Sequence, residues 1–274
     1  MSALDPTRRE LAEALARELL MYPPHSPEFC GAVSRVQVAG RAAQLRLGAS
    51  PVQPDLGQMV PADLVQALEE LRGLLTALEP VRPGWWGAWR GEALQGPSAA
   101  VAAGAAAQAG ALLHRVYAGQ DALGRSRLML RREALRLDGQ RGELESALAF
   151  VAELERLLQA SLPVLEARQP LHAAALQQEA LLVLRGRRRD LSESLAVAAQ
   201  ARLALEVLYA ETAALEEALG GAAEAARAAV LLSQAAAAGG VPVEQLLAAL
   251  KEARAALDRL QSLPRKPKGE TGQG

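Results

Sequence analysis

Cysteine and aromatic residues are scarce in this chain of 274 residues. Its only cysteine, Cys30, has no second thiol with which to form an internal disulfide. Only 3% of the residues are aromatic and few are β-branched, whereas 50% are apolar and most of these are Ala or Leu. Because Ala and Leu favour helices while β-branched and aromatic residues favour strands, the composition predicts an all-α protein.

Net charge is also nearly absent, because the acidic and basic residues sum to -1. The chain therefore lacks the long-range field of a general nucleic-acid binder or a polybasic membrane binder, and we expect no nucleic-acid partner. Residues 1–5 lack the pattern of a signal peptide. The uncharged stretch 93–113 is too rich in Ala, Gly and Gln to form a transmembrane segment. These features predict a cytoplasmic protein, with peripheral attachment to the inner membrane as an alternative.

One aliphatic line dominates the middle of the chain. Every seventh residue is Leu or Val, namely Val116, Leu123, Leu130, Leu137, Leu144, Val151, Leu158 and Leu165. This period is typical of a helix that packs against other helices in a coiled coil or a long bundle. The neighbouring line is interrupted by Gln120, Arg127, Arg141 and Glu155, which favours a bundle over a strong two-stranded zipper. We predict an elongated bundle of long helices with coiled-coil-like packing, and the line is buried either within one chain or between two chains.

Composition also suggests a division of the chain into four segments. They are an N-terminal helix (1–22), helices with Pro/Gly/Trp-rich loops (23–97), the long-helix bundle (98–263) and a disordered tail (264–274).

Proline and glycine predict where helices end. Pro23-Pro24 ends the first helix, and a single helix is predicted over 33–47. In the bundle, helices are predicted to end at Gly186, at Gly220-Gly221 and at Gly239-Gly240.

All three tryptophans lie in the proline- and glycine-rich loop 80–96. Trp85, Trp86 and Trp89 are candidates for contact with a protein partner or a membrane interface, because an indole combines a large apolar surface with one polar group. The alternative is that the three rings cover one end of the helical bundle.

A second candidate is the basic run at Arg185, Arg187, Arg188 and Arg189. Guanidinium groups bind oxyanions through paired donors, so these residues are candidates for anion contact. The alternative is a solvated turn between two helices, with Asp190 and Glu193 resembling a capping box that begins the next helix.

The remaining candidates are weak. Cys30 and His25 lie close in sequence, but no second cysteine or metal-ligand cluster accompanies them. His114 and His172 lie on different predicted helices, and a lone histidine on each is usually structural. No phosphate loop, nucleophile elbow or zinc-protease motif is present. We therefore predict no catalytic, cofactor-binding or metal-binding residues, and a protein that is not an enzyme.

Four pieces, taken in order, resemble the toxic anion resistance family, the TelA-like proteins of bacteria. They are 38–44 (Val-Ala-Gly-Arg-Ala-Ala-Gln), which looks like the family's Gly-x-x-Ala-Gln stretch, the Leu-rich helix 71–80, the segment 135–148, and 162–178 with its Leu-Pro turn and glutamines. After residue 178 an alanine- and leucine-rich sequence replaces the family's Asn- and Thr-containing helices.

The resemblance implies a cytoplasmic helical protein linked to tellurite resistance and stress, working beside membrane proteins of the TerC type. It implies no catalytic mechanism. The alternative function is a helical scaffold or adaptor that self-associates or binds a protein partner, unrelated to toxic anions.

Overall fold

A computed structural model describes residues 5–48, 59–80 and 96–261. The first helices are α1 (Pro6–Met21), α2 (Pro27–Val38), α3 (Arg41–Gly48) and α4 (Ala62–Ala77). The long helix α5 (Ala99–Arg168) follows, and then α6 (Pro170–Ala175), a π-helical segment (Leu176–Leu181), α7 (Leu182–Ala237) and α8 (Val243–Gln261). No strand occurs within the described ranges, so the predicted all-α architecture of long, packed helices is confirmed.

The chain forms two compact units, and both of them draw on α5 and α7. Unit 1 consists of Met1–Gln53 and Arg132–Glu206, and unit 2 consists of Pro54–Arg131 and Val207–Gly274. The core of unit 1 includes Leu19 and Phe29 from the first two helices, together with Leu144, Leu158 and Leu181. The core of unit 2 includes residues from α4, α5, α7 and α8, among them Leu71, Leu75, Leu123, Leu219 and Leu250.

The predicted aliphatic line is buried within the single chain. From Val116 to Leu158 each of its members is at most 4% exposed, and Leu165 is partly buried against the core of unit 1. Side chains that recur at a period of seven stay on one face of a helix. The same line therefore contributes residues to the cores of both units.

A second line with the same period runs along α7, and the sequence analysis did not identify it. Its members are all buried: Leu184, Leu191, Ala198, Leu205, Thr212, Leu219, Ala226 and Ser233. The two hydroxyls are satisfied locally, since Thr212 donates to the carbonyl of Leu208 at 2.6 Å and Ser233 donates to that of Val230 at 2.7 Å. The sequence analysis considered large aliphatic residues, and this line was missed because several of its members are alanine, threonine or serine.

Some predicted helix ends are wrong. The single helix expected over 33–47 is two helices, α2 and α3, with Gly40 between them at a φ of 74°. Positive φ strains residues that carry a Cβ. A Cβ at Gly40 would also lie only 2.8 Å from that of Ala147, so glycine is needed both for the turn and for the close contact.

The ends predicted at Gly186 and at Gly220-Gly221 are also wrong, because α7 continues through both places. A helical glycine costs about 1 kcal/mol relative to alanine. Near each place α7 carries fully buried side chains, Leu184 and Leu191 around Gly186 and Leu219 and Ala222 around Gly220-Gly221, and burying them outweighs that cost. Gly239, in contrast, has a φ of 75° and does follow the end of α7.

Gly119 allows the close approach of α4 to α5 in unit 2. A Cβ placed there would lie 2.8 to 3.0 Å from the side-chain atoms of Leu64, which is 1% exposed and surrounded by core residues. We therefore expect Gly119→Ala to lower the free energy of unfolding by about 1–3 kcal/mol, as overpacking of a rigid core does. The measurement is urea unfolding followed by circular dichroism.

Gly104 provides the matched control in the same helix, since nothing lies within 4 Å of a Cβ placed there. Gly104→Ala should raise the free energy of unfolding by about 0.5–1 kcal/mol through helix propensity alone. Equal effects of the two substitutions would contradict the described contact between Gly119 and Leu64.

Candidate functional site

The predicted tryptophan contact lies outside the described residues. Trp85, Trp86 and Trp89 fall in 81–95, so the proposal that they bind a partner stays a prediction.

The four arginines of the basic run lie inside α7 rather than in a turn, so the predicted inter-helix turn and the cap at Asp190 are wrong. Arg185 and Arg188, one turn apart, both contact the carboxylate of Glu155. The distance from Arg185 Nε to Glu155 Oε1 is 3.4 Å, and that from Arg188 Nη1 to Oε2 is 2.8 Å. Gln159 donates a third hydrogen bond to the same carboxylate at 3.1 Å. Glu155 is only 5% exposed, and these donors offset the cost of burying its charge.

Arg187 serves a different purpose from its neighbours. Its Nε donates to the carbonyl of Ala39 at 2.7 Å, which fixes the turn before Gly40, and its Nη1 lies 3.9 Å from the carboxylate of Asp190. Arg187 is 8% exposed, and its Nη2 makes no hydrogen bond to any described residue. Burial lowers the pKa of this guanidinium from its ordinary value.

The basic run therefore does not converge on a shared site. Arg189 pairs with Glu193 at 2.9 Å on the surface, Arg185 and Arg188 share Glu155, and Arg187 binds the backbone of the α2–α3 turn. Anion contact at these residues stays a prediction, and an anion there would have to compete with carboxylates that are already bound.

The weak candidates lie apart. His25 has a φ of 63°, and its Nδ1 lies 3.2 Å from a carboxylate oxygen of Glu179 in the π-helical segment. Cys30 is an exposed thiol on α2. His172 is buried in unit 1, with Nε2 3.0 Å from the carbonyl oxygen of Leu19 and Nδ1 3.2 Å from Gln169, whereas His114 is an exposed residue of unit 2. Within the described ranges, no group of three or more His, Cys, Asp or Glu side chains could hold a metal.

A polar groove in unit 2 was not predicted as a site. It lies between the face of α5 formed by residues 120–131 and the α7 residues Tyr209 and Glu216, and its volume is about 990 Å³. We call it the Arg127 groove. Arg127 Nη1 donates to Glu216 at 2.6 Å and Nη2 donates to the hydroxyl of Tyr209 at 3.1 Å, while the guanidinium carbon lies 4.9 Å from the centre of the Tyr209 ring. The hydrogen bond to Glu216, and then that to Tyr209, raises the pKa of Arg127.

The sequence did contain a signal for this groove. Gln120 and Arg127 are two of the polar residues that interrupt the line beside the aliphatic stripe, and both line the groove. Gln120 also donates to the backbone carbonyl of Glu216 at 3.2 Å. A polar side chain that is packed between two helices needs a hydrogen-bond partner there, and for Gln120 and Arg127 that partner is Glu216 on α7.

An apolar surface lies at the end of α1 in unit 1. Met21, Pro23 and Pro24 meet Pro170 and Leu171 around a shallow groove of about 430 Å³, with Gln169 and His172 beside them. Leu171 is 86% exposed and Met21 is 75% exposed. We call this the Met21–Leu171 surface.

No described helix is long and apolar enough to cross a bilayer.

No protein-family model and no curated protein matches the chain. Among solved structures, it is similar to the soluble AhlC of the tripartite α-pore-forming toxin AHL from Aeromonas hydrophila, with a TM-score of 0.42 and 16% identity over 94% of this chain and 98% of that one. It is also similar to the soluble AhlC triple head mutant, with a TM-score of 0.41 and 13% identity over 83% of this chain and 98% of that one. Similarity at this level transfers no property of that toxin component to this chain.

The Glu155 cluster gives a direct test of the contacts in unit 1. Glu155→Gln removes a buried carboxylate that accepts from two arginines and one glutamine, and we expect the free energy of unfolding to fall by about 1–3 kcal/mol. Glu193→Gln is the control, because it removes an exposed partner of Arg189 and should leave stability unchanged. Urea unfolding of both variants distinguishes the two sites, and equal stability of both would contradict the structural importance of Glu155.

Proposed function

We propose that this chain is a non-enzymatic helical protein that acts by binding a protein partner at the Met21–Leu171 surface. The observation that carries the proposal is the exposure of two large apolar side chains, Leu171 and Met21, beside each other on one groove. Exposed apolar surface that is grouped and bordered by polar residues is typical of interaction sites, whereas single exposed leucines are ordinary.

The backbone of this surface is held in place before any partner binds. Pro23, Pro24 and Pro170 each have a φ restricted by the pyrrolidine ring. The Nε2 atom of His172 lies 3.0 Å from the carbonyl of Leu19, so a buried hydrogen bond ties the start of α6 to the end of α1. A surface that is already ordered loses little conformational entropy on binding, and its buried apolar area then contributes more fully to affinity.

Two kinds of protein could occupy the surface, a different protein or a second copy of this chain. Apolar contacts suit either, and the same measurements distinguish them. A second copy would make the apparent mass of the purified protein depend on concentration, whereas a different protein would be recovered only from cell extract. Both cases agree with a scaffold or adaptor.

The test is the double substitution Met21→Ser/Leu171→Ser. We expect it to weaken binding to a partner identified by affinity purification by about tenfold or more, since each residue removes a buried apolar side chain from the interface. Binding is measured by calorimetry with the purified partner, and self-association by light scattering over a range of concentrations.

The matched control is Leu45→Ser/Leu203→Ser, which removes two other exposed leucines of unit 1, 64% and 61% exposed. It should leave binding within about twofold of wild type, because single exposed leucines contribute little. If both double variants bind the partner and self-associate as wild type does, the Met21–Leu171 surface is not the interface.

A link to tellurite resistance is a second proposal, favoured by the resemblance of the four pieces given above. One of them contains Gly40 and Gln44, which pack the α2–α3 turn against α7, where Gln44 donates to the hydroxyl of Ser194 at 2.8 Å. In this proposal the partner is a membrane protein of the TerC type.

Gene deletion followed by complementation tests the second proposal. We expect the deletion strain to grow less well on tellurite, wild type to restore growth, and the Met21→Ser/Leu171→Ser variant to fail. Unchanged tolerance in the deletion strain would remove the link to toxic anions while leaving the proposed partner binding to be decided by the calorimetry.

A further inference from the structure

We infer that the Arg127 groove in unit 2 binds a small polyanion that carries several phosphate groups. This inference does not depend on the proposed protein partner, because every residue involved belongs to unit 2. Three arginines line the groove, Arg125, Arg127 and Arg131, on the α5 side of the space between the two helices.

The central arginine is fixed in place. Arg127 is held by Glu216 and by the hydroxyl of Tyr209, and its guanidinium lies over the ring of Tyr209. Its Nε is buried and makes no hydrogen bond to any described residue. Glu216 is therefore committed to Arg127, and its negative charge is largely offset before a ligand arrives.

Two further arginines are free to bind. Arg125 and Arg131 line the groove together with Arg127, and neither forms an ion pair with a carboxylate in the described ranges. Arg125 makes only a long hydrogen bond of 3.4 Å to the backbone carbonyl of Asp121. Many arginines elsewhere in the described helices, such as Arg115 and Arg202, do have a carboxylate partner within 3.2 Å.

The charge of the lining favours an anion. Three arginines face two carboxylates, those of Asp121 and Glu216, so the groove carries a net positive charge. The Asp121 carboxylate opposes an anion at one end of the groove. Between Asp121 and Glu133 the sequence of α5 contains no acidic residue, so beyond Asp121 the charged residues that α5 contributes to the groove are all arginines.

The groove also has room for a ligand with several charged groups. Gly124 lines it, and a Cβ added there would meet only a carboxylate oxygen of Glu216, at 3.8 Å. The volume of about 990 Å³ is at the upper end of the range for small-molecule sites. A monoanion offers one charged group, whereas a chain of phosphates offers several, and the planar guanidinium fork matches phosphate oxygens.

Inorganic polyphosphate and the phosphate chain of a nucleotide share this chemistry, so the probe is sodium tripolyphosphate, measured by calorimetry with the full chain at low ionic strength. We expect wild type to bind it, and Arg125→Gln/Arg131→Gln to bind at least about tenfold more weakly because two charge-assisted contacts are lost. Arg132→Gln/Arg168→Gln removes the same charge outside the groove and should bind within about twofold of wild type. Competition by ATP or by adenosine then distinguishes a nucleotide from free polyphosphate.

The substitution Gly124→Leu distinguishes binding inside the groove from attraction to surface charge alone. It keeps every arginine but adds a large side chain to the lining of the groove, and we expect it to weaken tripolyphosphate binding while a circular dichroism spectrum and thermal unfolding show an intact fold. Absence of binding to wild type would overturn the inference. Equal binding by wild type, Gly124→Leu and Arg125→Gln/Arg131→Gln would also overturn it, as would binding of poly-glutamate but not tripolyphosphate.

Discussion

The burial of two lines of residues that recur at a period of seven, one on α5 and one on α7, is the constraint on which both units depend. Every member of the α5 line from Val116 to Leu158, and every member of the α7 line from Leu184 to Ser233, is withdrawn from water. Each unit contains part of both lines, and the shorter helices add to a core that the long helices already define. Burial of this aliphatic area is the main favourable term for a chain with so few aromatic residues.

The polar residues that interrupt the line beside the α5 line form the charged contacts between α5 and α7. Glu155 is satisfied by Arg185 and Arg188, and Arg127 is satisfied by Glu216 and Tyr209. A charge that the packing withdraws from water is tolerated when the facing helix supplies the opposite charge or a hydrogen bond, whereas the exposed Arg141 pairs with Glu145 on its own helix. The polar residues that make this face of α5 unsuited to a two-stranded coiled coil therefore form the Glu155 cluster in unit 1 and line the Arg127 groove in unit 2.

The sequence allowed the fold class and the buried α5 line to be predicted, because composition and a strong period are local properties. It also located the polar seam positions. It did not identify their partners, since Glu216 lies far along the chain from Arg127 and only folding brings the two together. The helix ends at Gly186 and Gly220-Gly221 were predicted wrongly for a related reason. Local propensity favours a break there, but the burial of Leu219 and Ala222 on α7 decides otherwise.

The π-helical segment keeps apolar residues on the buried face of the chain just before α7. Counting back seven residues from Leu184 on the α7 line gives Gln177, yet the residue buried in the core of unit 1 is Leu176, one position earlier. A π-turn inserts one extra residue into a helix, and Leu176–Leu181 lies where that insertion is needed. Gln177 is thereby turned outward, where it donates to Glu166 at 2.8 Å. Without the insertion the α7 line would place an amide rather than a leucine in an apolar core, at the cost of burying an unpaired polar group.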